Sequence, residues 1–260
     1  MKFLILLLVA PIVFGAFWQT SGKGAQPAKV ADMPTALVDG NNQFAVDLYH
    51  RLAANGKGDV FVSPQSISLA LAMTYAGAAG QTAEQMAATL HFTLPREELN
   101  AAFARLLKQW TPGSTPRDYE LNIANRLWAQ QGYKFLDSFL KITRDDFGAE
   151  LAEVDFVHRA EAARQTINAW VAKQTADKIK DLIGSGALRP DTRLVLTNAI
   201  YFRGQWQSPF EVNATKTAPF HISADKTADV QMMHHEAFFR YGSRDDLQIL
   251  EMPYKGSDLS

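Results

Sequence analysis

The chain has 260 residues, 47% hydrophobic and 20% charged, with no cysteine and a formal net charge of −1 from 26 basic and 27 acidic side chains. This is ordinary globular composition with enough apolar material to bury a full core, and its charge balance gives a nucleic-acid groove no electrostatic support. The missing thiols exclude a disulfide framework, a thiolate nucleophile and thiolate zinc sites, so packing alone must stabilise the fold.

The opening stretch, "MKFLILLLVAPIVFGAFWQTSGKGAQPAKVADMPT", begins with Lys2 after the initiator, runs apolar from Phe3 to Phe14, and then loosens into small and polar residues. That is the layout of a secretory signal peptide. The apolar run is shorter than the ~20 residues a spanning helix needs, and Pro11 interrupts it. Cleavage is therefore expected between Gly15 and Ala25, with residues 1–22 as leader, 23–40 as a flexible lead-in and 41–260 as one domain. A secreted protein, extracellular or periplasmic, follows from this, with no membrane contact after leader removal.

From Asn41 the pattern turns helical, with Phe44, Leu48, Tyr49 and Leu52 forming one apolar stripe. "DVFV" reads as a short strand. Ser63-Pro64 then reads as a helix start, the hydroxyl capping free amides and the proline filling the first helical position. Between about Pro64 and Tyr75 no consistently polar face remains, so this second helix must be surrounded by protein. Thr82 to Gln85 has capping-box spacing and opens a third helix that ends near Leu90. A fourth, "REELNAAFARLLKQW", carries Leu99, Phe103, Leu106, Leu107 and Trp110 on one side.

The apolar period then falls to two. Leu121, Ile123, Asn125 and Leu127 alternate with Asn122, Ala124, Arg126 and Trp128, which predicts a strand between two different surroundings. Arg159 to Gln174 is helical again, gathering Ala163, Ile167, Trp170 and Val171. A turn-rich connection, "DKIKDLIGSGALRPD", leads to the long strand "TRLVLTNAIYFRGQW". Short alternating strands follow in "PFHIS", "ADVQMMHHEAFFRYG" and "LQILEMPY". Helices first, then long strands and a strand cluster, make an α+β order rather than alternating βαβ units.

No catalytic constellation emerges. No G-x-S-x-G elbow occurs, and proline after Ser63 suits a cap better than a nucleophile. His234-His235-Glu236 is the densest cluster of metal-type side chains, but strand neighbours point to opposite faces and a third spaced ligand is missing. Gly77-x-x-Gly80 lacks the lysine of a phosphate loop. Glu97-Glu98, Asp145-Asp146 and the basic set Arg96, Arg105, Lys108 and Arg117 read as solvated surface. No metal and no cofactor is expected. What remains unusual is the placing of hydroxyl and amide side chains where a core should be apolar.

Five stretches carry a resemblance: "VFVSPQSISLALAMTYAGAAGQTAEQM" (60–86), "LNIANRLWAQ" (121–130), "INAWVAKQTADKIKDLI" (167–183), "LVLTNAIYFRGQWQSPF" (194–210), and "VQMMHHEAFFRYG" with "LEMPYKG" (230–256). In order and spacing they resemble the serpins, inhibitors whose reactive loop inserts into their own main sheet. The resemblance implies an N-terminal helix cluster on a large mixed β-sheet with further antiparallel strands. It makes Ser63, Ser66 and Asn198 the polar "shutter" beneath the parting strands, and Trp206 the tryptophan of the "breach" where the loop first enters. Asn168, Thr175 and Lys178 become family positions on a helix across the sheet. It implies a serine-type target protease as partner, trapped as an acyl-enzyme when the cut loop becomes a new strand.

By the same resemblance, the hinge, reactive loop, scissile bond and last core strands fall beyond Ser260. The 260 residues alone are then expected to be an incomplete domain that neither inhibits a protease nor stays monomeric. A non-inhibitory serpin acting as chaperone or carrier, and a secreted hydrolase using Ser63 or the His234 pair, are the alternatives.

Overall fold

The computed structural model describes residues 33–55, 59–111, 117–223, 225–245, 247–256 and 259–260. The expected leader, residues 1–22, lies outside them. Helix α1 (Thr35–Asn55) begins within the expected lead-in and buries Leu37 and Phe44, seven residues apart and so on one face. Of the expected stripe, Phe44 and Leu48 meet the core, while Tyr49 and Leu52 are exposed. Tyr49 sits about 100° around the helix from Leu48 and so leaves the packed face.

Helix α2 (Pro64–Ala76) starts as its sequence predicts, with Ser63 as cap, its Oγ accepting the amide of Ser66 at 3.3 Å. Leu69, Ala72 and Met73 are fully buried, and Thr74 alone on this helix is exposed. Helix α3 (Gly80–Leu90) starts two residues before Thr82 with no side-chain cap, so the expected capping box is not used. Helix α4 (Arg96–Trp110) buries Leu99, Ala102 and Phe103 as its period requires. A ladder of rings, Tyr75, Phe92, Phe103 and Phe147, runs through this cluster with centroids 5.5 to 5.9 Å apart.

Strand β1 (Tyr119–Gln130), helix α5 (Asp137–Phe147), strand β2 (Glu150–Val154), helix α6 (Phe156–Gln174) and strand β3 (Leu194–Gly204) follow. The sheet order is β2-β1-β3, with β1 and β2 parallel and Arg126 opposite Glu150. The alternation read in β1 separates two cores. Leu127 and Ile123, with Leu194 and Leu196 of β3, join the core of α1 to α5. Trp128, with Val195 and Ala199 of β3, joins Phe156, Ile167 and Val171 of α6. The sheet is thus covered by the helix cluster on one face and α6 on the other.

The described residues fall into two compact units. The first runs from α1 to Phe202 without residues 117–119. The second holds Arg117–Tyr119 and Arg203–Ser260. It contains a 3-10 turn (Val212–Ala214), the antiparallel pair β4 (Lys216–Ser223) and β5 (Lys226–Met232), and the antiparallel pair β6 (Arg240–Arg244) and β7 (Leu247–Glu251). Residues 233–239 are irregular, so the stretch from Ala228 to Gly242 forms parts of two strands rather than one. No helix among the described residues is long and apolar enough to cross a membrane.

Candidate functional site

A chain of side-chain hydrogen bonds crosses the first unit where an apolar core would be expected. Ser66 Oγ, in the first turn of α2, donates to Asn198 Oδ1 on β3. Asn198 Nδ2 donates to Asn125 Oδ1 on β1 at 2.6 Å. Asn125 Nδ2 donates to the carbonyl of Phe147, the last residue of α5, at 3.0 Å. Each donor meets an acceptor, so one buried helix, two strands and a second helix are tied by a continuous seam.

The local sequence explains the placement. Ser63 is fully buried and its Oγ is used as the cap, which turns α2 so that Ser66 faces the sheet. Asn125 and Asn198 sit at inward positions of their strands, where the period of two aims them at the helix side. The seam contains no ionisable group, so protonation does not enter its energetics. Ser63, Ser66 and Asn198 are thus brought together; Asn125 and the Phe147 carbonyl complete the set, and neither is among the residues that sequence reasoning marks. The available sign of Asn125 is its amide at an inward strand position otherwise filled by leucine and isoleucine.

On the other face of the sheet, Trp128 Nε1 donates to Thr197 Oγ1 at 3.0 Å, and Thr197 Oγ1 donates to the Arg126 carbonyl at 3.3 Å. The Arg126 guanidinium lies over Trp128 and Trp170, 5.2 and 5.3 Å from their ring centres.

Helix α6 starts at Phe156, with Asp155 as cap and Gln130 Oε1 accepting the amides of Phe156 and Val157. The expected start, Arg159, is instead a kink with φ −136° and ψ 40°. The amide of His158, hydrogen-bonded to the Asp155 carboxylate, holds that carboxyl below its ordinary value. Asn168 is buried and holds Ile183 twice, donating to its carbonyl and accepting its amide, both at 2.9 Å. Thr175 Oγ1 donates to the Val171 carbonyl and accepts the Ile179 amide. Lys178 is exposed and donates its backbone amide to the Thr175 carbonyl.

In the second unit Trp206 stacks on Tyr254, 4.3 Å between ring centres, flanked by a backbone bridge between the two residues. Burial raises the Tyr254 phenol above its ordinary value. His234 reaches Glu236 only at 3.8 Å, and His235 turns away between Phe210 and Phe239. Among the described residues no three metal-type side chains gather.

The family model described as Serpin (serine protease inhibitor) matches residues 39–260. Leukocyte elastase inhibitor from Bos taurus is 47% identical over 223 residues, covering 85% of this chain and 58% of its own length. The Homo sapiens protein of that name is 43% identical over 227 residues, covering 86% and 59%. Among solved structures, ovalbumin from emu (Dromaius novaehollandiae) aligns with a TM-score of 0.81 at 29% identity, over 86% of this chain and 62% of that one. A cleaved serpin 42Da aligns with a TM-score of 0.78 at 31% identity, over 85% and 59%. The chain thus spans less than two thirds of the relatives it matches. These relatives overturn one expectation: leukocyte elastase inhibitors are intracellular, so the expectation of a secreted, extracellular or periplasmic protein does not hold.

Proposed function

Because the chain belongs to the serpin family of serine protease inhibitors, we propose that the full-length protein inhibits a serine-type protease by opening its main sheet, and that the seam is the joint that opens. The observation that carries this reading is the donor-to-acceptor run from Ser66 through Asn198 and Asn125 to Phe147. Each such hydrogen bond contributes about 0.5–1.5 kcal/mol net, and a parting strand can exchange one hydroxyl or amide partner for another. Interlocked apolar side chains at the same place would leave a void costing about 24 cal/mol per Å3 when the strands separate. In this reading Ser63 and Ser66 with Asn198 form the shutter and Trp206 marks the breach. Asn168, Thr175 and Lys178 belong to the helix that must yield as a strand enters.

The partner is a protease that forms an acyl-enzyme on a loop of the full-length inhibitor. Full-length protein is to be incubated with elastase, chymotrypsin, trypsin and subtilisin and resolved on a denaturing gel. A band that survives denaturation at the summed mass of inhibitor and protease is the expected result. Cleavage with no such band for any of the four would favour a non-inhibitory chaperone or carrier and overturn the proposal.

A further inference from the structure

The first unit holds a pocket of about 500 Å3 that the seam does not use. Its wall includes Thr74 at the end of α2, Thr82 and Met86 of α3, Leu136 and Phe139 at the start of α5, and Leu196 of β3. That volume is in the range of small-molecule sites, which are mainly apolar with a few placed polar groups. No charged side chain lines it. The Thr74 hydroxyl hydrogen is committed to the Ala70 carbonyl at 3.3 Å, which leaves its oxygen as an acceptor. Met86 is unbranched and can adapt to an irregular guest. The chemistry therefore selects a neutral, mainly apolar molecule with one N–H or O–H to offer.

The pocket is walled in part by α2, α5 and β3, three of the four elements that the seam ties. Thr74 lies eight residues after Ser66 on α2, and Phe139 eight residues before Phe147 on α5, about 12 Å along each axis. On β3, Leu196 and Asn198 are two residues apart and share one face of the strand. We infer that this pocket binds a neutral, mainly apolar small molecule carrying one hydrogen-bond donor, and that its occupant restrains the α2, α5 and β3 arrangement held by the seam. The second half rests on the role proposed for the seam; the first does not.

N-phenyl-1-naphthylamine, uncharged and with a single N–H, is the probe for the full-length protein. Saturable one-to-one fluorescence enhancement is expected, with a shift of the Met86 methyl resonance and slower amide exchange around Asn198. Thr82→Trp, at an exposed rim position, should weaken binding about tenfold or more, and Phe238→Ser, on an exposed ring of the second unit, should leave it unchanged. An unmoved Met86 methyl, full binding by Thr82→Trp, or loss of binding in Phe238→Ser would overturn the site. A shifted Met86 methyl with unchanged exchange at Asn198 would overturn the restraint. Either failure is distinguishable from a failure of inhibition, which the protease-complex experiment reads separately on full-length protein without probe.

Discussion

Asn198 spends both ends of its amide on other elements, which makes it the most connected residue of the seam. Asn198→Ala strands the Ser66 hydroxyl and the Asn125 carbonyl oxygen together. With each orphaned group costing about 1–3 kcal/mol, urea unfolding should show a loss of about 2–6 kcal/mol. If the seam acts as a unit, Ser66→Ala and Asn198→Ala combined should cost less than their sum by about 0.5–3 kcal/mol; additive costs would mean independent contacts. Gly40 gives the opposite lesson about propensity. In an ordinary helix interior Gly→Ala gains about 1 kcal/mol, but Gly40 is buried and an added Cβ would run into the backbone carbonyl of His91. Thermal or urea melting of Gly40→Ala should therefore show destabilisation, by about 1–3 kcal/mol. Ser63 was legible as a cap because proline follows it, whereas Ser66 and Asn198 were singled out together only through the family resemblance. The Phe147 carbonyl was not legible, since a backbone acceptor leaves no trace in side-chain identity.

Among the elements, α6 depends on side chains that reach outside it. Asn168→Ala removes both bonds to Ile183, so the segment after the helix should loosen and trypsin should cut faster after Lys178 and Lys180; an unchanged cleavage rate would show that packing alone holds it. The Asp155 cap carries a pH dependence whose direction follows from its lowered carboxyl. A folded-state value below the unfolded one, which is about 3.9, means that the cap's contribution is full above that pH and fades as pH falls through the folded value. Amides in the first turn of α6 should thus exchange faster at pH 3 than at pH 6 beyond the intrinsic rate change, and Asp155→Ala should abolish the difference. Helix α4 and strand β1 were legible because their periods run uninterrupted, α2 because Ser63-Pro64 marks its start and it lacks a polar face, and β3 because it is rich in β-branched and aromatic side chains. No helix or strand was expected over residues 131–158, although α5 places Phe139, Ile142, Thr143 and Phe147 inward at helical spacing and stops at Gly148 with φ +62°. Its polar composition, "DSFLKITRDDF", masked that period. The run from Ala228 to Gly242 misled in the other direction, because apolar residues continue through a stretch that forms no ladder.

For the whole molecule, the sheet order β2-β1-β3 leaves one side of β3 without a partner among the described strands, and the seam meets that strand at Asn198. A sheet that accepts a further strand beside β3 would add a ladder of backbone hydrogen bonds along it. The alignments cover 58–59% of the bovine and human inhibitors, so the proposed transition is one to test on the full-length protein. Amide exchange along residues 194–204 of full-length protein, before and after cleavage by a serine protease, tests the opening sheet most directly. Exchange slowed about tenfold or more after cleavage, the equivalent of about one net hydrogen bond per protected group, is the predicted result. Unchanged or faster exchange along β3 in the cleaved protein would contradict the account.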